Sequence, residues 1–355
     1  MLLYPNSKMR KMRKIITLVT FLCVVNIAAY AKIWRVNNNQ GITADFTALQ
    51  AAHDGALAGD TIYLESSPTS YGALTSSKKL TVIGTGYFLD VNPDLQAFTL
   101  PAKVDAIYLN AGSAGSSIEG VSTGSNSITI SVNDVVVRRN YLGSPGQGIP
   151  DYSVGTVSIN SGASNILITQ NFALVITNSG TSTGILITNN LLSFHAYYGE
   201  ATTNPCLNLT TNTVAIIKNN IVRRGILTAY NSNITNNIIY NGFFSGTGNL
   251  VSNNIGNSTQ FGTTDGNQSS VDMTTVFLGT GSYDNFFKLK TGSPAIAAGY
   301  GSTQQVPVDA GMYGGSTPYV LSGIPAIPSI YYFKNQPVGS NSDPIDVQVK
   351  VRSNN

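Results

Sequence analysis

Six asparagines return in one setting through the middle of the chain: VVVRRN ends at Asn140, ILITQN at Asn171, ILITNN at Asn190, AIIKNN at Asn220, SNITNN at Asn237 and NLVSNN at Asn254. Their intervals are 31, 19, 30, 17 and 17 residues, so one environment recurs every 17 to 19 residues, with about a dozen inserted twice. Self-similarity at that period predicts a solenoid, in which each unit packs on its neighbours. Alternating Val, Ile and Leu before each Asn predicts a short strand, and Asn at its end suits a bend because it tolerates left-handed backbone. Identical bends stack. An Asn in such a column can donate to one neighbour and accept from the other, which predicts a buried ladder of Asn140, Asn171, Asn190, Asn220, Asn237 and Asn254. Turn asparagines of an antiparallel sandwich are the alternative.

Only 10% of the 355 residues are charged and 42% are hydrophobic. Asn, Ser, Thr and Gly supply the polar surface, and the β-branched residues suit a long, narrow core rather than disorder.

Residues 1–31 read as a secretory signal peptide. Lys8, Arg10, Lys11, Arg13 and Lys14 precede an apolar run from Ile15 to Ala28, and Ala29-Tyr30-Ala31 is a small-x-small cleavage site. A retained membrane anchor is the alternative. The segment holds 5 of the 20 Lys and Arg and none of the 17 acids, so the remainder carries 15 against 17, net −2 with His neutral. Nothing then favours nucleic acid or an anionic membrane as partner. With Cys23 removed, Cys206 stands alone, which gives neither a disulfide framework nor a Cys-based metal site.

Ile33, Trp34 and Val36 open a strand. Phe46, Leu49, Ala52, Ala56 and Leu57 then recur at helical spacing, with Asp45 as N-cap and Gly59 as stop. A helix there would cover the open first coil, with His53 as a surface or cap residue.

The run FTALQAAHDGALAGDTIYLESSPTSYG, followed by KKLTVIGTGY and SSIEGVST, resembles the start of the secreted right-handed parallel β-helix proteins of the pectin-lyase-like superfamily. KLKTGSPAIAAGYG and VPVDAGMYGG resemble the last coil of many such proteins from Bacteroidetes-type bacteria. With the Asn coils the likeness spans roughly residues 32–317. It implies that residues 32–317 form an all-β, right-handed parallel β-helix of about ten coils, capped by the N-terminal helix, and residues 318–355 are expected to form a short β tail. Coils are expected to begin near Ile33, Thr61, Leu80, Ala106, Ser127, Val135, Ile166, Ile185, Val214, Ile234 and Leu250. At about 4.8 Å per coil the rod would be on the order of 50 Å long. In the tail, Ile345, Val347, Val349 and Val351 alternate with Asp346, Gln348, Lys350 and Arg352, a one-sided strand that pairs with IPSIYYF and packs along the rod or over its last coil. A secretion-sorting domain is the alternative.

The two long intervals follow Asn140 and Asn190, so both loops leave the same side. The first carries Tyr141, Asp151 and Tyr152. The second carries Phe194, His195, Tyr197, Tyr198 and Glu200, and Arg223 and Arg224 stand on the next coil. Rings that stack on sugar faces, beside groups that bond hydroxyls or uronates, have the composition of a glycan-binding groove. The alternative is ordinary loops that cover the rod.

Enzymes of the resembled superfamily include lyases, which use an Arg or Lys base with calcium or another cation, and hydrolases with clustered aspartates. This chain has no Asp-Asp pair and no GHG, RIK, WIDH or RxPxxR motif. If catalysis occurs, Arg223, Arg224, Glu200 and His195 are the candidates, with Arg138 and Arg139 as other arginines on a strand. The expected function is a non-catalytic, exported carbohydrate-binding or cell-surface scaffold. No cofactor or metal is expected, calcium entering only for a lyase. The expected partner is a polysaccharide or surface glycan, met by a monomer. A lyase or hydrolase acting on an acidic glycan and a self-associating adhesin are the alternatives.

Overall fold

The computed structural model describes residues 11, 31–143, 154–194, 203–336, 339 and 344–354. Apart from Lys11 and Ala31, the expected leader lies outside the described residues, and no helix among them is long and apolar enough to cross a membrane. The chain divides into Met1–Lys32 and Ile33–Asn355, and the second unit carries the fold.

That unit is an all-β, right-handed parallel β-helix. One ten-stranded parallel sheet starts with Ile33–Val36 and ends with Leu250–Ser252, one strand per coil, and a second ten-stranded sheet forms the opposite walls. Register aligns Ile62, Val82, Ile118, Val137, Ile168, Ile187, Ile217 and Ile234 on successive coils of the first sheet. Across the bore the second sheet stacks Leu74, Ile107, Ile128, Val157, Ile176, Leu207 and Leu227. All are buried. Branched side chains repeated at one register fill a narrow bore without gaps, which is why the strands are rich in Ile and Val.

The coil starts expected near Ala106 and Ser127 belong to the second sheet, as Ile107–Leu109 and Ile128–Ile130. The coil between them starts at Ser117–Glu119. Short apolar runs look alike on every face, so sequence alone does not assign them to a wall.

The capping helix is present but short, Leu49–Gly55. Asp45 is not its N-cap: Asp45 Oδ2 accepts from Arg35 N at 2.8 Å, and Phe46 bridges Val36, so these two residues close the edge of the first strand. His53 is buried. Its Nε2 accepts from Ser77 N at 3.2 Å, which leaves Nδ1 to donate to Asp54 Oδ1 at 2.8 Å. At the other end Phe261 plugs the bore, its ring centroid 5.3 Å from that of Phe244.

The ladder forms. Asn140 N and Nδ2 both donate to Asn171 Oδ1, at 3.0 and 3.1 Å. The same pair of bonds repeats from Asn171 to Asn190, Asn220, Asn237 and Asn254, and then to Asn267. Asn267 escaped the sequence pattern because a turn, not an apolar strand, precedes it. Each ladder amide also donates to a carbonyl one coil back, as Asn220 Nδ2 does to Ile187 O at 3.0 Å.

The left-handed residue at this corner is not the ladder Asn but the one before it. Arg139, Gln170, Asn189, Asn219, Asn236 and Asn253 have φ between 55° and 59°. Asn suits both positions for different reasons, which accounts for the NN doublets.

Strand structure in the rod stops at Ile255–Gly256. Segments expected to form a last coil instead run back along the corner as a strap. Asn253 Nδ2 donates to Ala298 O, Asn219 Nδ2 to Asp309 O, Asn189 Nδ2 to Gly314 O, Gln170 Nε2 to Pro318 O and Arg139 Nη1 to Ile324 O, all within 3.0 Å. Strap number rises as coil number falls. At the next corner Gly120 (φ 64°) lies under Pro325, 2.5 Å from where a Cβ would be, so no larger residue fits there.

The strap covers a second core. Tyr141, Phe172, Leu191, Ile221, Ile238 and Ile255, each directly after a ladder Asn, point away from the bore and pack with Met312, Tyr319, Phe287, Tyr87 and Phe88. The next residues, Leu142, Leu192, Val222 and Ile239, point into the bore. One wall of the helix is therefore apolar on both faces.

Candidate functional site

The corner that follows the second core brings four side chains into line. Ser193 pairs in register with Arg223, and Arg223 with Tyr240. Asn257 follows on the next coil and, with Tyr240, Val271, Asp272, Met273 and Thr274, lines an open groove of about 260 Å³. Tyr240 is half-buried, its ring 6.2 Å from that of Phe277. Around the corner Phe243 is 45% exposed.

The groove's polar groups are held in place. Asn257 Nδ2 donates to Asn241 Oδ1 at 2.9 Å, and its Oδ1 accepts from Asn241 N and Gln260 Nε2. Asp272 caps the short helix Met273–Val276, its Oδ1 accepting from Thr274 N at 2.9 Å and Thr274 Oγ1 at 2.8 Å. Those bonds hold the Asp272 carboxyl below its ordinary range, with a smaller contribution from Lys290. Its Oδ2 makes no hydrogen bond among the described residues. The groove thus offers a ring, a carboxylate, a hydroxyl and an amide on fixed supports.

Arg223, the arginine singled out in the sequence, lies on the strand beside Tyr240 and is buried. Arg224 has φ 59° and makes the bend, so its neighbour, not Arg224 itself, continues the register. Ser193 Oγ is buried with no hydrogen-bond partner among the described residues, next to Arg223.

Other expected contacts fall elsewhere. Tyr141 is 3% exposed, its ring 4.7 Å from Phe88 and 5.5 Å from Tyr87, so it belongs to the second core and is not presented to a ligand. Phe194 packs against the bore. Asp151, Tyr152, His195, Tyr197, Tyr198 and Glu200 lie outside the described residues. The points where the two loops leave, Gly143 and Phe194, are on the same side of the rod with the Phe172 coil between them. Arg138 is paired with Glu119 at 2.7 Å, and Arg139 is part of the strap clasp.

Tyr240, Asn257, Asp272 and Thr274 were missed by sequence reasoning. Only the one-residue-per-coil register carries the signal, since Tyr240 sits 17 residues after Arg223. Among the described residues, no three His, Cys, Asp or Glu side chains cluster as metal ligands would.

No family model, no curated protein and no solved structure matches this chain.

Proposed function

We propose that the protein is an exported β-helix scaffold of the pectin-lyase-like type that binds a polysaccharide in the groove at Tyr240. One observation carries this reading: register sets Tyr240 beside Arg223, at the edge of a groove whose polar groups are fixed by the fold. A tyrosine ring offers a sugar its apolar face, while the Asp272 carboxylate, the Thr274 hydroxyl and the Asn257 amide meet its hydroxyls. Preorganised groups lose little freedom on binding, which favours recognition of a repetitive chain by a rigid rod. The points where the two long intervals depart, Gly143 and Phe194, lie on one flank of the rod.

The test is electrophoresis of the purified protein through gels cast with uronate or neutral polysaccharides. Retardation by one of them, reduced several-fold in Tyr240→Ala with unchanged circular dichroism, supports binding. Unretarded migration in every gel overturns it. Parallel incubations with and without calcium, followed by the absorbance of unsaturated products, address catalysis: product that vanishes in Arg223→Ala replaces the scaffold reading with a lyase.

A further inference from the structure

The C-terminal hairpin turns an apolar face to solvent. Its antiparallel strands, Ser329–Asn335 and Val347–Arg352, set Ile330 opposite Val351, Phe333 opposite Val349 and Asn335 opposite Val347. The apolar members of that face, Ile330, Phe333, Val347, Val349 and Val351, are 47% to 65% exposed. Tyr331 and Tyr332 are half-buried instead, under Arg352 and Lys350. Arg352 Nη2 donates to Leu95 O at 2.9 Å, which ties that end of the hairpin to the rod, while Gln348 and Lys350 stay exposed.

The two outer edges differ. The first strand is bulged between Ile330 and Tyr332, and Ile330 O accepts from Ala97 N at 2.8 Å. Bulging and an anchored carbonyl both discourage pairing along that edge. On the second strand, Asp346 O accepts from Gln336 N, inside the hairpin. Backbone groups alternate in direction along a strand, so those of Val347, Val349 and Val351 face outward along an open edge.

We propose that this edge pairs with its own copy, antiparallel about a two-fold axis at Val349, and joins two molecules through a four-stranded sheet. Charge favours a second copy as the partner, in this register. The axis at Val349 sets Val347 against Val351 and the acidic start of the strand, Asp346, against its basic end, Arg352. Moving the axis to Val351 would set Lys350 against Arg352, two like charges, which is unfavourable directly across a ladder. Three outward residues per copy complete their hydrogen bonds in the chosen register. A lone hairpin is barely stable in water, whereas a sheet of three or more strands with an apolar face is. Because the other edge is bulged and anchored, the association closes as a dimer and does not propagate.

Sedimentation equilibrium of the purified protein tests this directly. The expected result is twice the chain mass for the wild type, falling to a single chain mass in Val349→Pro, which lacks the outward N–H. Register is read separately in Val349→Cys: with the two-fold at that residue, mild oxidation links the cysteine to its own counterpart, while Lys334→Cys on the other strand stays unlinked. Cys206 does not interfere, because it is buried and burial pushes its thiol up to about 12. A wild-type monomer at the highest soluble concentration overturns the proposal. So does a dimer that persists in Val349→Pro while Val349→Cys fails to link.

Discussion

Asn189 and Asn190 are neighbours in sequence and serve opposite sides of one wall. Asn190 Oδ1 accepts from Asn171 N and Nδ2 inside the corner, at 2.9 and 3.0 Å. Asn189, bent into the left-handed region at φ 58°, sends its amide outward to Met312 O and Gly314 O, at 2.9 and 2.8 Å. The first column aligns the coils and the second holds the strap, so their loss has separable consequences.

Replacing Asn220 by Leu removes the acceptor of Asn190 N and Nδ2 and strands several buried groups at once. At about 1–3 kcal/mol for each buried group left unpaired, the chain is expected to lose about 3 kcal/mol. Asn208→Leu, on an exposed wall position off the column, should stay within about 0.5 kcal/mol. Denaturant unfolding of both variants checks this, and equal losses would count against the ladder.

Asn189→Gly and Asn219→Gly keep the backbone bend available but delete the strap's donors. Each should cost about 1–2 kcal/mol through its lost hydrogen bonds. Local opening then precedes global unfolding, so limited proteolysis should cut within residues 298–318 faster than in the wild type while the rod's circular dichroism persists. Unchanged cleavage would show that the apolar cover alone fixes the strap.

Asp284 is fully buried and ties three distant segments together. Its oxygens accept from Ser322 N at 2.6 Å, Tyr319 Oη at 3.1 Å, Asn92 Nδ2 at 3.1 Å and Asn285 N at 3.1 Å. An amide in its place must turn its NH2 toward donors, so Asp284→Asn is expected to cost about 2–4 kcal/mol despite equal volume. Thermal unfolding measures it, and a neutral result would mean that the network rearranges.

Alkaline pH should unfold the protein through its buried phenols. Burial, then the charge of Asp284, raises Tyr87 and Tyr319 well above their ordinary value, and Tyr313 is raised for the same reasons. Burial also pushes Tyr71 up to about 12. The unfolded chain releases these protons near pH of about 10 while the folded chain keeps them. Stability is therefore intact below that pH and falls as pH rises past it. In a phenolate titration of the 18 tyrosines, this buried set should ionise only together with loss of the near-ultraviolet dichroism of the fold. Smooth ionisation of all tyrosines before unfolding would contradict the burial.

Much of the fold was legible because a solenoid writes its contacts at short, regular range: the Asn spacing gave the coils and the ladder. The site was less legible. Tyr141 looked like a loop aromatic, and only the strap's return makes its position interior. Tyr240 looked like one more residue after NNII, and only its register with Arg223 and the fold of residues 271–274 bring it to the edge of a groove.

By itself the sequence determined the repeat, the parallel solenoid, the buried Asn column and the alternating tail strand, since each depends on local period and side-chain chemistry. Tertiary structure decided the rest: residues 298–324 run back along the rod, the wall after each ladder Asn becomes apolar on both faces, and the hairpin presents its valines to solvent. Those outcomes depend on contacts as far apart as Arg139 with Ile324 and Leu95 with Arg352. A periodic pattern reports which residues face one way along a strand, and it carries no information about a distant segment that comes to lie on the other face.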